Sequence, residues 1–519
     1  MLALFLAMPA LAAPTVLNRG NGGEPKSLDP HFIDALNESN IVGDLLTGLT
    51  TLDPAARPIP GSALRWETSP DGKTWTFHLR DQLWSDGTPV TAQDFVFAWQ
   101  RLLDPKTGAF YAYNLWVMKN AHAISTGTRP PRALGVAASN DKTLIVTLEH
   151  PAPYLPELLT HDTAYPLPRK VVLAKGAAWS RPENFVGNGA YVPKAWVPND
   201  RITLVKNPRF YDAAHVHIDV VNYWPTQDTA AALDRLRAGE LDTQTPMPLS
   251  ELGWMRAHMA PYLHTIPFLG LSYVAINFRH PPLNDVRVRR ALNLAYNREV
   301  MTEKVLRLGD PPAYSFLPPG IANFPGGAEM DFAHLPYADR IAKARWLMER
   351  AGFGTDNRLH LAFETIADPD QKRIAAVMQA MLKQIYIDLE IVPVDAAVHY
   401  RNLQQGTFDL AGASWFADFN DATNFLDLLR HDSGNNFSKY DNPKFDTLLD
   451  KAQQETDLEE RGRILLAAER IALADYPWIP TRFRTTQDIV APYVKGWIEN
   501  VRDFNRSRWL WLDGKPLPR

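Results

Sequence analysis

The residues best suited to do chemistry lie between Gly406 and Asp418. The run Gly406-Thr407-Phe408-Asp409-Leu410-Ala411-Gly412-Ala413-Ser414-Trp415-Phe416-Ala417-Asp418 alternates, then sets aromatic side chains beside a carboxylate. A strand that ends this way presents an apolar wall, Trp415 and Phe416, with Asp418 as one anionic anchor. A carboxylate held in an apolar cleft forms charge-assisted hydrogen bonds with a ligand ammonium. The same residues also read as a loop carrying a solvated aspartate, and the segment alone leaves both readings open.

Reactive chemistry is sparse elsewhere. The chain has no cysteine, which excludes disulfides, thiolate nucleophiles, Cys-ligated zinc and iron–sulfur clusters. The glycine clusters Gly20-Asn21-Gly22-Gly23, Gly187-Asn188-Gly189 and Gly326-Gly327 complete neither a dinucleotide fingerprint nor a phosphate loop. Neither H-E-x-x-H nor G-x-S-x-G occurs. His215 and His217 would share one face of a strand, but no third ligand stands near them in sequence. A triad can be assembled from residues far apart in the chain, and nothing singles one out among 14 histidines. The reading is a binding protein, not an enzyme, with no cofactor and no metal.

Composition narrows the class further. Of 519 residues, 45% are hydrophobic and 22% charged, an ordinary globular balance. Lys+Arg number 54 and Asp+Glu 58, for a net charge of −4; this is no basic footprint for nucleic acid. The length suggests about three domains, or two large lobes. Pro is high at 42 and Trp at 15, against 29 Gly, which suits long fixed connections and an aromatic-lined cleft.

Several elements must position these residues. Lys73–Arg80, Thr143–Glu149, Arg201–Lys206, His217–Trp224, Leu269–Asn277 and Ile387–Val394 read as strands. Thr91-Ala92-Gln93-Asp94 resembles a capping box opening a helix with Phe95, Ala98, Trp99 and Leu102 on one face. Helices are predicted over Ala230–Ala238, from Asn284 or Asp285 to about Met301, over Tyr337–Ala351, and over Asp370–Tyr386. In the third of these Ile341, Ala344, Arg345 and Met348 share a face; in the fourth Ile374, Met378, Met381 and Ile385 do. Helices followed by strands belong to α/β layers.

The N-terminus suggests the compartment. Residues 1–13, MLALFLAMPALAA, are apolar, too short to span a bilayer, and end in an A-x-A cleavage pattern at Ala10-Leu11-Ala12. They read as a signal peptide; the lack of Lys or Arg before the apolar run fits a true start further upstream. With no cysteine to carry a lipid, the expected location is periplasmic and unanchored.

At chain length the sequence resembles the periplasmic oligopeptide-binding proteins of ABC importers, within the peptide/nickel substrate-binding family. The resemblance rests on Ser27-Leu28-Asp29-Pro30-His31, Glu38-Ser39-Asn40-Ile41, Trp84 to Val96, Asn188-Gly189-Ala190-Tyr191, Asn284-Asp285-Val286-Arg287-Val288-Arg289 and Gln405-Gly406-Thr407-Phe408-Asp409. It implies an α/β, periplasmic-binding-protein-like fold whose two lobes close on ligand by a hinge, plus an inserted third domain. Domain I would comprise 14–46, 171–269 and 486–519, the insert 47–170 and domain III 270–485. The hinge would fall near 269–271 and 485–487. The implied ligand is a short extended peptide, its ammonium on Asp418. Ser414, Trp415 and Phe416 match the adjoining pocket, Tyr111 and Tyr273 cleft aromatics, Leu36 a backbone contact and Asp34 an acidic residue beside it. The implied partner is a membrane permease, and the implied oligomeric state is a monomer.

The departures from the family pattern bear on the ligand. Cations that hold the ligand's carboxylate in relatives fall on Leu403 and Gly412 here, and a histidine is replaced near Asp370. Arg401 would substitute if its stretch were extended, sharing a face with Leu403; it also reads as a solvated arginine. A pocket tryptophan is replaced near Ala396. The positions of a disulfide in relatives fall on Gly270 and Phe416. These changes leave room for a murein-peptide receptor, or for a non-peptide ligand such as a nickel chelate, haem or an opine.

Overall fold

The computed structural model describes residues 13–515. The predicted signal peptide therefore lies outside the described residues except for Ala13.

Period-two patterning becomes strand wherever one face has a core to meet. In Thr74–Leu79 the residues Trp75, Phe77 and Leu79 are buried while those between them are half-buried. This strand pairs with Ala63–Thr68 and with Thr143–Thr147, which in turn pairs with Val136–Asn140, giving a four-stranded antiparallel sheet. The helix Ala92–Leu103 buries Phe95, Ala98, Trp99 and Leu102 in the same core. Its start is fixed as the sequence implies: the Thr91 N–H donates to Asp94 Oδ2 at 2.9 Å.

The largest sheet has ten strands. One half runs Ile387–Val394, Leu359–Ile366, Leu410–Phe416 and Leu263–Ile276; the other runs Trp478–Val490, Thr243–Thr245, Val16–Asn21, Val220–Trp224, Arg201–Lys206 and Tyr191–Val197. Two long strands, Leu263–Ile276 and Trp478–Val490, belong to both halves. They pair antiparallel over Leu263–Pro267, slip, and pair again from Leu271. Leu263–Ile276 meets Leu410–Phe416 only from Gly270 onward, and only the far end of Trp478–Val490 meets Thr243–Thr245. The slip at 268–270 is thus where one half-sheet hands over to the other.

The hydrophobic cores divide at the same place. One cluster runs from Leu269 to Ile479; another combines Leu17 to Tyr223 with Val490 to Leu510. The second holds Trp75, Phe77 and Trp99 together with Tyr191 and Tyr223, so the four-stranded sheet shares one core with its half of the large sheet.

Three sequence expectations need correction. The helix capped by Asp285, whose carboxylate accepts the Arg287 N–H at 2.8 Å, ends at Ala295 and not near Met301. Arg298 is the reason: its buried guanidinium donates to the carbonyls of Asn293 at 3.0 Å and Tyr296 at 3.3 Å, and Asn297 Oδ1 caps the following turn through the Val300 N–H at 3.0 Å. In Tyr337–Arg350 the buried stripe passes through Leu347, whereas Arg345 is exposed and donates to the Gln384 carbonyl at 2.7 Å. His215 and His217 do not share a strand. His215 closes a short turn on Asp212 at 2.5 Å, and His217 meets Trp511. Among the described residues no cluster of His, Cys, Asp or Glu could hold a metal ion.

Candidate ligand-binding site

The strand Leu410–Phe416 delivers Asp418 to the seam between the halves. Asn424, nearly buried, fixes both wall and anchor: its Oδ1 accepts Trp415 Nε1 at 2.8 Å and the Asp418 N–H at 3.2 Å. The turn that carries Asn424 is held from behind. Asp421 accepts Arg461 at 2.7 and 2.8 Å, and it caps Thr423 through that residue's N–H at 3.0 Å and Oγ1 at 2.6 Å. Both members of the Arg461–Asp421 pair are buried. The Asp418 carbonyl accepts Arg502 Nη2, from the C-terminal segment, at 2.8 Å.

The anchor's carboxylate faces across the cleft. Tyr113 Oη donates to Asp418 Oδ2 at 3.1 Å. Tyr111 stands beside it, its ring 5.7 Å from Tyr113 and 5.0 Å from His161. Burial raises the Asp418 carboxyl, while His161, Tyr113, Arg502 and Asn424 pull it back down. Burial and the nearby charges of Asp418, Asp34, Asp162 and Glu38 push the Tyr111 hydroxyl up to about 12. Tyr113 is raised by burial and by Asp418, so both phenols remain neutral donors. Asp34 and Asp162 are paired with Lys26 and Arg506, so among the described residues Asp418 is the carboxylate of this group that faces Tyr113 without a salt-bridge partner.

The remaining sequence-derived residues separate into groups. Leu36 opens the helix Leu36–Leu45 and is half-buried; Asp34, just before it, is exposed and pairs with Lys26 at 2.5 Å. Ser414 shares a hydrogen bond with Ser272 at 3.0 Å. Phe416 is 44% exposed and lies between the Phe268 ring at 5.6 Å and the Arg484 guanidinium at 5.6 Å. Tyr273 is chiefly a core residue, 2% exposed and stacked on Trp478 at 4.1 Å. Arg401 does not meet the condition set for it. Its stretch is the helix Ala396–Gln405, capped by Asp395 and stopped by Gly406 at φ 71°. Positions two apart on a helix point about 200° apart, so Leu403 is buried and Arg401 exposed.

Sequence reasoning missed Tyr113, His161, Asn424, Arg502 and Arg484. Only Arg484 left a local trace, the alternation Arg482-Phe483-Arg484 beside the expected hinge. A cavity of about 130 Å³ opens along Ser272, Gly412, Ser414, Gln371, His399 and Arg484. His399 is buried between Glu364 Oε1 at 2.9 Å and the Gly412 carbonyl at 2.8 Å.

Residues 57–437 match the bacterial extracellular solute-binding proteins, family 5 Middle. The chain belongs to this family. The periplasmic oligopeptide-binding protein OppA of Salmonella typhimurium is 38% identical over 496 residues, 94% of this chain and 90% of that protein. Two solved structures of the same kind superpose over nearly the whole family 5 chain. The murein tripeptide-binding protein MppA in its unliganded open form covers 97% of this chain and 98% of its own, at 34% identity and a TM-score of 0.87. Haemophilus influenzae OppA in complex with the peptide RPPGFSPFR covers 96% and 99%, at 35% identity and a TM-score of 0.78. The family 5 fold agrees with the expected α/β solute-binding architecture, and the family is one of binding proteins, not enzymes.

Proposed function

We propose that this protein is a periplasmic receptor that captures short peptides, extended between its two lobes, and delivers them to the membrane permease of an ABC importer. The observation that carries the reading is Asp418, a carboxylate partly withdrawn from water in an aromatic-walled cleft and rigidly held by Asn424 and Arg502. An α-ammonium would provide the charge-assisted partner that this environment favours. The names of its relatives supply the peptide and the compartment.

The lobes in this reading are 14–46 with 171–269 and 486–519, and 270–485, with 47–170 inserted in the first. Closure would turn about the slipped pairing of the two crossing strands, whose few non-ladder residues can absorb backbone rotation. Residues 1–13 serve as its signal peptide, and it works as a monomer without nucleic acid.

A murein peptide is the second reading, suggested by the likeness to MppA at 34% identity, which is less than the 38% to OppA. Calorimetry with trialanine, N-acetyl-trialanine and the cell-wall tripeptide tests both. Asp418→Asn and N-acetylation should each cost about 1.5–3 kcal/mol, the worth of a hydrogen bond to a charged group. Tight binding indifferent to both changes would rule out ammonium capture. Preference for the cell-wall tripeptide over trialanine would move the assignment to murein. Native mass spectrometry of protein purified without denaturant should reveal a ladder of bound peptides; a single non-peptide mass would point to a chelate, haem or opine ligand instead.

A further inference from the structure

We propose that Arg484 binds a carboxylate of the ligand in the cavity beneath Ser414, fixing the end of the peptide opposite Asp418. This rests on the peptide reading above. Arg484 projects from the crossing strand Trp478–Val490 into the cavity that Ser272, Ser414 and Gly412 line. Its contacts leave its charge unmatched. Nη1 reaches only the Ser272 hydroxyl at 3.5 Å, the guanidinium stands 5.6 Å from the Phe416 ring centroid, and Nε is buried with no partner.

The carboxylates around it are already engaged. Asp310 pairs with Arg482 at 2.8 Å and accepts the Thr485 N–H and Oγ1 at 2.9 and 2.8 Å. Glu364, buried behind the cavity-lining His399, takes His399 and Asn402 at 2.9 and 2.7 Å. A guanidinium drawn from water without a counter-ion is costly, and burial already lowers its proton affinity. A ligand carboxylate would supply the missing charge, and the planar fork of arginine matches it in two-pronged fashion.

Space and spacing fit. Gly270 makes room for the arginine stem, since a Cβ there would lie 3.0 Å from both Cβ and Cγ of Arg484. Ser414 precedes Asp418 by four residues, at most about 13 Å at roughly 3.3 Å per extended residue, since the strand itself ends at Phe416. An extended ligand with its ammonium on Asp418 therefore brings the third or fourth residue to Arg484. The carboxylate is the C-terminus of a tripeptide or tetrapeptide, or an acidic side chain at that position.

The test is calorimetry of wild type, Arg484→Gln and Arg484→Lys with trialanine, trialanine amide and Ala-Ala-Glu amide. Amidation of trialanine should weaken wild-type binding ten-fold or more and R484Q binding less than two-fold. R484K, which keeps the charge without the fork, should show an intermediate loss. Recovery by Ala-Ala-Glu amide in wild type but not in R484Q assigns the side-chain carboxylate; no recovery assigns the C-terminus. An equal loss on amidation in wild type and R484Q overturns the proposal, and the peptide reading still stands if N-acetylation weakens both proteins. Failure of every peptide to bind wild type removes both.

Discussion

Gly270 and Phe416 are directly paired across antiparallel strands, and a Cβ built on Gly270 would stand 2.7 Å from Phe416 Cδ1. The relation lies at the handover between half-sheets, beside the anchor loop. Cross-strand partners sit about 4.5–5.5 Å apart at Cα, within the span a disulfide needs. A Gly270→Cys/Phe416→Cys double variant should therefore oxidise spontaneously and close the loop 270–416; the new Cβ at 270 crowds the Arg484 stem at 3.0 Å, so the gain should fall below the about 2–4 kcal/mol a disulfide usually adds. Thiol titration and melting with and without reductant check this. Two free thiols after oxidation would show that the pair is held apart.

The Tyr113 hydroxyl opposes the effect of burial on Asp418. Removing it by Tyr113→Phe leaves desolvation less opposed, so the carboxyl protonates at higher pH. Ammonium capture needs the carboxylate, and affinity is lost on acidification. The pH at which peptide affinity falls should move upward in Y113F relative to wild type. A calorimetric pH series reads this directly; an unmoved or lowered midpoint contradicts it.

Arg461 and Asp421 hold the anchor loop from inside the core. Arg461→Leu leaves Asp421 buried and uncompensated, which should cost about 3–5 kcal/mol. Adding Asp421→Asn should recover part of the loss, because members of one ion pair are not additive. Urea unfolding of the two single variants and the double variant measures the coupling, and an additive result would deny it.

Glu469 is buried, and burial pushes its carboxyl up to about 7 despite the Phe316 and Leu317 N–H groups it accepts at 3.0 and 3.1 Å. A carboxyl whose folded value lies above its unfolded one favours the native state at low pH. That contribution is lost as pH rises from the ordinary carboxyl range through about 7. Glu469→Gln keeps the single oxygen that accepts both N–H groups and removes the titration. Its unfolding free energy should fall less between pH 5 and pH 8 than that of wild type. Parallel pH profiles would contradict this.

Much of the local structure was legible in the sequence because it follows from backbone geometry. Alternation placed Arg201–Lys206 and Ile387–Val394 at the bounds observed, and Asp285 and Thr91 marked helix starts through donors that any helix leaves unpaired. That Trp415 and Asp418 lie close together was also legible; the structure ties both to Asn424. Arg401 was misjudged because a short stretch with weak periodicity reads as strand or helix; only Asp395 before it and Gly406 after it signalled a helix. Tyr113, Asn424, Arg502 and Arg484 were beyond sequence reasoning for a different reason. They come from four separate parts of the chain: the turn Ala112–Leu115, the turn Thr423–Leu426, the C-terminal segment and a crossing strand. Chain order carries local periodicity, but which side chains meet, and which charge is left without a partner, is decided by how distant elements pack and exclude water.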